Sequence, residues 1–273
     1  MDYNVAVIIL NYNSWEDTIK EINICNNILS VKNRDIIVVD NCSPNDSAEQ
    51  LKKQSIERNF VFIESKENKG YGAGNNIGLE CAYKNGYKYA LILNNDIIVE
   101  DSNLLFQLLR VFEIEKKAAI VNPDIYSPDG HMFNRDSVRP SFIDYTFGAI
   151  KYKKKGRKIE DMGGYGNIYR PQGCCMLVDL EKMREVGFFD EETFLYFEES
   201  ILAEKLLTRG YKCFCNTATS VIHNHSKTVK STFDIKRIIS INNKSFAYYL
   251  RKYRGYGNIK IKVCCFFNSL KLM

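Results

Sequence analysis

The sequence predicts an α/β fold in which helices cover both faces of a mostly parallel sheet. Three observations carry this. Runs such as "NVAVIIL", "DIIVVD" and "YALILN" are apolar at nearly every position rather than at alternate ones. A strand of that kind is buried on both faces, which is how a parallel sheet under crossover helices reads. The runs alternate with segments of helical periodicity, and several end in polar residues, as strands do when the carboxyl edge of a sheet carries a site.

The elements follow in order. "NVAVIIL" is the first strand. In "EDTIKEINICNNIL", Ile19, Ile22, Cys25 and Leu29 recur near helical spacing. "DIIVVD" is a second strand, "SAEQLKKQSIE" a helix and "FVFIE" a third strand. "GNNIGLECAYKNG" predicts a helix stopped at Gly86, "YALILN" a fourth strand, "NLLFQLLRVFEIEK" a strongly apolar helix and "AAIVNP" a fifth strand. The crossovers between these strands should be right-handed. The second half is less regular. "IYSPDGHMFNRDSVRPSF" and the basic cluster "KYKKKGRK" (Lys151 to Lys158) read as loops or short hairpins. "GCCMLVDL" reads as a strand, "EESILAEKLLTRG" as a helix ending at Gly210, and "YKCFCN" and "TSVIHNH" as two short strands. From Ser231 to Arg254, the spacing of Ile235, Ile238, Ile239, Asn242, Phe246 and Tyr249 predicts an amphipathic helix.

The totals bound the function classes. A length of 273 residues suits one large domain, or one domain with an appended piece. No apolar run reaches the length of a membrane-spanning helix. "MDYNVAVIILNYN" lacks the basic region and cleavage site of a signal peptide, so a cytoplasmic location is expected. The nine cysteines are odd in number and contain no CxxC, which removes zinc-knuckle and redox readings and suits thiols in a reducing compartment. The net charge of +5 is uneven: residues 227–273 carry +10 and residues 1–226 carry −5.

Chemistry collects at the strand ends. The first strand runs into Asn11-Tyr12-Asn13, the second ends in Asp40-Asn41, and the fourth runs into Asn94-Asn95-Asp96. "NKGYGAGNNIG" (Asn68 to Gly78) is a glycine-rich turn opening a helix, able to offer backbone N–H groups to a diphosphate. It is not a dinucleotide fingerprint, because Ile77 stands where the third glycine of GxGxxG belongs and the turn does not follow the first strand. No Walker A motif is present. His223 and His225 share one face of a short strand and could ligate a metal or bond a phosphate. No third ligand or cysteine pattern nearby supports zinc.

"VIILNYN", "IIVVDNCSPNDS", "NKGYGAGNNIG", "LILNND", "GCCMLVDLEKMREVGFFDE", "FLYFEES" and "VIHNHSKT" occur in this order between Val5 and Lys230. As an ordered set they resemble a family-2 glycosyltransferase with the GT-A-type nucleotide-diphospho-sugar fold, close to its rhamnosyltransferase-like branch. The resemblance implies a catalytic domain over residues 1–226, with a nucleotide-sugar half (1–122) and an acceptor half (123–226). Residues 227–273 follow as a basic amphipathic extension. It implies a divalent cation, Mg²⁺ or Mn²⁺, on the donor diphosphate. Asp96 is the surviving acid of the family's short acidic motif and the expected metal ligand. A hard cation and its carboxylate ligand stabilise charge on a departing diphosphate. Without the other motifs, "NND" would read as a turn capping the next element.

The resemblance assigns the remaining roles. Asn11, Tyr12 and Asp40 line the base pocket, with Asp40 accepting from the base. Gly70, Asn76, Asn94, Asn95, His223 and His225 belong to the donor site, and Gly173 and Asp190 to the acceptor side. In "FLYFEES" the second acid of the pair is the expected base, which places Glu199 in that role with Glu198 as its competitor. The aromatic run before the pair could raise carboxyl pKa values. The implied reaction moves a sugar, with inversion, from dTDP-rhamnose or a UDP-hexose to a saccharide hydroxyl, as in surface polysaccharide synthesis. The acceptor could be lipid-linked, and nucleic acid is not an expected partner. A sugar nucleotidyltransferase is the alternative enzyme, although "LNYNSWED" lacks its glycine- and basic-rich first loop. A third reading, from another class, is a non-catalytic polyanion- or membrane-binding protein. The basic extension would lie on an anionic inner membrane surface or pack its apolar stripe on the domain.

Overall fold

The computed structural model describes residues 4–148, 158–224 and 234–272. His225 and nearly all of the Lys151 to Lys158 cluster lie outside them. One nine-stranded sheet organises the chain, in the order β3-β2-β1-β4-β8-β6-β9-β5, with β7 also pairing to β9.

The first four strands are β1 (Val5–Asn11), β2 (Ile36–Asp40), β3 (Val61–Glu64) and β4 (Tyr89–Leu93). They are parallel throughout, as their continuous apolar runs predict. Alternate residues of β1 feed two cores. Val5, Val7 and Ile9 pack with Ile22 and Cys25 of α1 (Trp15–Asn27) and Leu104 and Leu108 of α4 (Leu104–Ile114). Ala6 and Ile8 pack on the other face with Leu79 and Ala82 of α3 (Tyr71–Lys84). α2 (Ser47–Arg58) follows β2 and buries Leu51 in the first core. Each fully buried Ile or Leu contributes roughly 1.5–3 kcal/mol.

The second half mixes directions. After β5 (Ile97–Ile98) and β6 (Ala118–Tyr126), β8 (Cys175–Asp179) enters antiparallel to both β4 and β6. "YKCFCN" and "TSVIHNH" form one strand, β9 (Lys212–His223), instead of two. The register slips where Pro123 faces Asn216 and Asp124 faces Ser220, so the polar "NTAT" is a bulge within a strand. β5 and β7 (Tyr165–Ile168) are too short to show periodicity. The Ser127 to Gly130 segment makes the expected tight turn, and a short helix, α5 (Phe142–Tyr145), follows in the loop region. α6 (Leu180–Glu185) and α7 (Glu198–Thr208) cover the second face of the sheet.

The amphipathic helix predicted from residue 231 is α8 (Ile235–Lys252), and α9 (Asn258–Leu272) packs against it. Phe246, Tyr249, Leu250, Ile261 and Cys264 form a third core with Ile201 of α7. Two buried carboxylates fasten the pair. Glu204 accepts a forked bond from Arg139 at 2.9 and 2.6 Å and another from the Tyr169 hydroxyl at 2.6 Å; Arg254 Nε lies 3.6 Å away. Asp190 accepts from Tyr248 at 2.9 Å, Lys252 at 3.0 Å, and Tyr253. The inner stripe of α8 therefore packs on the domain. Ile235, Ile259, Phe266 and Leu270 stay exposed on the outside of the pair.

Burial pushes the Asp190 pKa up, but the bonds from Tyr253, the Glu192 N–H, Lys252 and Tyr248 outweigh it and hold the group at about 2. A depressed carboxylate stabilises the fold above its ordinary value of 3.8 and loses that contribution as pH falls towards about 2. Urea unfolding midpoints between pH 5 and pH 3 should therefore drop more steeply for the wild type than for Asp190→Asn. Parallel pH profiles would show that Asp190 does not carry this linkage.

Candidate active site

β4 ends where its parallel neighbour β1 ends, as does β2 on the far side of β1, so Asn11, Asp40 and Asn94 reach the same edge of the sheet. The antiparallel β8 begins there, with Cys175 opposite Leu93, and the Asn94 N–H donates to the Cys174 carbonyl at 2.8 Å. Asn122, buried in β6, donates to the Gln172 and Cys175 carbonyls at 2.8 and 2.6 Å and so fastens the Gly173 segment to this edge.

The Asn94-Asn95-Asp96 turn is clamped from below by α1. Asn95 donates to Ser14 Oγ at 3.0 Å and Thr18 Oγ1 at 2.9 Å, and Thr18 donates to Asn11 at 2.8 Å. Glu21, one turn further along α1, is buried. Its pKa is pushed up to about 9, first by burial and then by the Asp96 charge, against a bond from the Ile97 backbone. Asp96 itself meets His223. Ile97 pairs with His223 across β5 and β9, and Asp96 Oδ1 lies 3.1 Å from His223 Nε2, both side chains being largely buried. The two groups contact each other, and the carboxylate of the pair is the ligand type that suits Mg²⁺ or Mn²⁺. Among the described residues no three His, Cys, Asp or Glu side chains converge, so a diphosphate and water would complete the coordination of such an ion.

Asp40 is fully buried and already holds partners. It accepts from Asn11 at 2.7 Å and from the Ser43 N–H and hydroxyl at 2.9 and 2.7 Å, beside the half-buried Tyr12. Asn76, expected at the donor, is turned elsewhere. Its amide donates to the Phe189 carbonyl at 3.1 Å and to Glu191 at 2.9 Å, and accepts from the Phe189 N–H at 3.0 Å, so it fastens the loop after α6. Asp190, expected at the acceptor, is likewise bonded to α8, because that loop presents its carboxylate to Tyr248, Lys252 and Tyr253.

Gly70 contributes through its backbone. Its φ is +101°, and a Cβ there would stand 1.9 Å from the Phe194 carbonyl oxygen, which accepts from the Tyr71 N–H at 3.0 Å. The helix therefore opens three residues before the predicted "GNNIG" start. This contact joins the glycine-rich turn to the loop that carries the acids. In that loop Tyr196 and Phe197 both have left-handed backbones, at φ +72° and +67°. Such conformations cost on the order of 1–3 kcal/mol each and persist where surrounding structure fixes them. They deliver Glu198 and Glu199 to the first turn of α7 and into a cleft of 380 Å³ shared with Tyr71, Arg170, Gly173 and His223. Glu199 is half-buried and accepts from the Gly173 N–H at 3.2 Å. A Cβ on Gly173 would lie 3.1 Å from Glu199 Oε1, so the glycine lets the acid approach. Glu198 is buried, and desolvation first, then the Glu199 charge, pushes its pKa up. Its Oε1 has no hydrogen-bond partner.

The structure thus brings Asn94, Asp96, Gly173, Glu198, Glu199 and His223 together. It adds Ser14, Thr18, Glu21, Ser43, Tyr71 and Arg170, which sequence reasoning did not single out. The signal for Thr18 and Glu21 was available. Both lie on the buried face of α1 that Ile22 and Cys25 define, where polar residues need partners.

Gly70→Ala should destabilise the protein by at least about 2 kcal/mol in urea unfolding, since it combines backbone strain with a clash against backbone. Gly86→Ala, at φ +79° with nothing within 4 Å, is the control and should cost about 1 kcal/mol. Equal effects at the two sites would refute the close approach.

The comparisons with known proteins bear on the family and the fold. The chain is 26% identical over 200 residues to the low-salt glycan biosynthesis hexosyltransferase Agl10 of Haloferax volcanii, covering 72% of this chain and 59% of that relative. It is 26% identical over 216 residues to a poly-β-1,6-N-acetyl-D-glucosamine synthase of Staphylococcus aureus, covering 76% and 47% of the two chains. The chain therefore spans about half the length of the curated relatives it matches. Among solved structures, the mannosyltransferase PcManGT of Pyrobaculum calidifontis, in complex with GDP-Man and Mn²⁺, superposes with a TM-score of 0.63 at 14% identity, over 97% of this chain and 69% of that one. S. aureus TarS 1-349 in complex with UDP-GlcNAc superposes with a TM-score of 0.60 at 13% identity, over 97% and 71%. These two likenesses establish the GT-A fold. The family model of glycosyl transferase family 2 matches residues 6–187, two thirds of the sequence, and the chain belongs to that family.

Proposed function

We propose that this chain is an inverting hexosyltransferase that moves a sugar from a nucleoside-diphosphate donor to a saccharide hydroxyl. The observation that carries the reading is the meeting of the Asp96–His223 pair and the Glu198–Glu199 turn at one cleft, on the sheet edge where Asn11 and Asp40 end. The donor lies along that edge, its base beside Tyr12 and Asp40 and its diphosphate towards Asp96 and His223. When bound at Asp96 and His223, Mg²⁺ or Mn²⁺ supplies charge neutralisation to the diphosphate leaving group. The mannosyltransferase and TarS complexes hold GDP-Man and UDP-GlcNAc, and the motif set adds dTDP-rhamnose, so these three donors head the test.

The acids divide the proton work. Glu198, buried and beside another carboxylate, holds its proton near neutrality. The base role falls to Glu199, which faces the cleft and is oriented by the Gly173 N–H. It takes the proton of the acceptor hydroxyl as that oxygen attacks the anomeric carbon. The sugar–phosphate bond breaks with its electron pair going to the nucleoside diphosphate, and a single displacement inverts the anomeric centre. The buried thiols of Cys174 and Cys175 stay protonated, with pKa values raised chiefly by burial, and act as packing rather than as nucleophiles.

A peripheral membrane role for the outer face of α8 and α9 belongs to the same reading. No helix among the described residues is long and apolar enough to cross a membrane. Exposed Phe266 and Leu270 share α9 with Lys260, Lys262 and Lys271, and exposed Phe147 packs on Phe267, a mixture that suits an anionic lipid surface and a lipid-linked acceptor on the cytoplasmic side.

Nucleoside-diphosphate release across the three donors, with Mn²⁺ or Mg²⁺, tests the transfer. Glu199→Gln should lose about 10²–10⁴-fold in rate while donor affinity persists. Asp96→Ala should lose both metal activation and metal-dependent nucleoside-diphosphate binding. Full activity of Asp96→Ala in chelator sinks the metal role, and a dead Glu198→Gln beside an active Glu199→Gln reassigns the base. For the membrane role, the full chain should co-sediment with phosphatidylglycerol vesicles at low salt and detach as salt rises. Absence of binding at low salt rejects it.

A further inference from the structure

The C-terminal helix pair reaches further into the cleft than a cover for the sheet would need to. Tyr196 and Phe197 hold their left-handed backbones directly before the acids, and α8 supplies the contacts that keep them there. The Phe197 ring stacks on Phe246 at 4.6 Å between centroids and 13° between planes, and on Tyr249 at 5.7 Å and 23°. Ser245 Oγ donates to the Leu195 carbonyl at 2.8 Å. One turn earlier, Asn242 lines the cleft together with Glu198, Glu199 and Tyr71. Its Oδ1 accepts from Asn268 of α9 at 2.7 Å, which fixes the amide plane, and its Nδ2 makes no hydrogen bond among the described residues.

We propose that α8 forms the acceptor-side wall of the active site. In it Asn242 is a residue that binds the acceptor, and Ser245 and Phe246 are positioning residues for the Glu198–Glu199 turn. The chemistry names the ligand class. An amide N–H₂ held at fixed orientation beside the Tyr71, Tyr196 and Phe197 rings recognises a hydroxyl-bearing ring, whose polar rim bonds to the amide while its apolar face meets an aromatic. This rests on the reading of Glu198 and Glu199 as the acids of the transfer. It deepens that reading by placing the acceptor between them and the C-terminal pair. The contacts that dock α8 and those that aim the acids are the same contacts, so docking and catalytic geometry are coupled.

The test uses the full chain, the donor that gives most release among UDP-GlcNAc, GDP-mannose and dTDP-rhamnose, and a panel of octyl hexosides as acceptors. Asn242→Asp keeps the bond from Asn268 and the side-chain shape but removes the N–H₂ donor. It should raise the acceptor KM about tenfold or more, with nucleoside-diphosphate affinity unchanged. Ser245→Ala and Phe246→Leu should lower kcat about tenfold or more at unchanged donor KM. Both should also speed hydrogen exchange at the amides of residues 196–199, and Ser245→Thr should restore both readouts. An unchanged acceptor KM in Asn242→Asp overturns the binding role. Wild-type exchange and kcat in Ser245→Ala overturn the positioning role, and this variant decides if Phe246→Leu fails to fold. Exchange needs no substrate, so it judges the wall even if no octyl hexoside turns over. Full turnover in both Glu198→Gln and Glu199→Gln would instead overturn the assignment of the acids, leaving the wall to be judged by acceptor KM and exchange.

Discussion

The close approach of the Gly70 backbone to the Phe194 carbonyl sets the distance between the two sides of the cleft. One side is the parallel block, with Asn11, Asp40 and the turn at Asp96 along its edge. The other is the loop from Phe194 to Phe197 that leads into Glu198 and Glu199. The Tyr71 N–H bonds the Phe194 carbonyl, and the Tyr71 hydroxyl bonds the Gly173 carbonyl at 2.8 Å. One residue thus ties the opening of α3 to both segments that touch Glu199. A side chain at Gly70 would prise these parts away from one another.

Polar groups at the sheet edge impose a second constraint. Strands that end in Asn and Asp at a buried edge must satisfy those side chains or lose stability. Here they satisfy one another. Asp40 takes Asn11 and Ser43, Asn11 takes Thr18, and Thr18 takes Asn95. The network leaves Asp96 directed towards His223. An asparagine at position 95 can donate to two hydroxyls of α1, which a carboxylate in the same place could not do. The reduced acidic motif is therefore also a structural clamp.

The parallel block was legible because continuous apolar runs with helices between them admit few other arrangements. The direction of β8 was not, since an apolar run reads alike whichever way it points. β5 and β7 fell below the length at which periodicity exists. α9 escaped notice because its apolar residues split between two opposite faces, Ile259, Phe266 and Leu270 outward and Ile261 and Cys264 inward, instead of forming one stripe. In the site, Asp96, His223 and the acid pair were visible as types and order, but their meeting depends on the pairing of Ile97 with His223 and on two left-handed residues that no composition signals. Asn76 and Asp190 sit in family-like segments, and their geometry turns them to packing and docking. Asn242 was read only as one position of an apolar stripe.

The anchoring of α8 and α9 through Glu204 and Asp190 has an evolutionary corollary. Exchanging residues 227–273 with those of a relative would strand the Asp190 carboxylate, whose partners Tyr248, Lys252 and Tyr253 all lie there, and would take Arg254 from Glu204, which keeps Arg139 and Tyr169; an uncompensated buried charge costs about 3–5 kcal/mol. Inheritance of the C-terminal pair is therefore tied to Arg139, Tyr169, Asp190 and Glu204 upstream. Lineages in which the helices diverge should show matching changes at those four positions, so the boundary for modular shuffling lies before Arg139 rather than at residue 227.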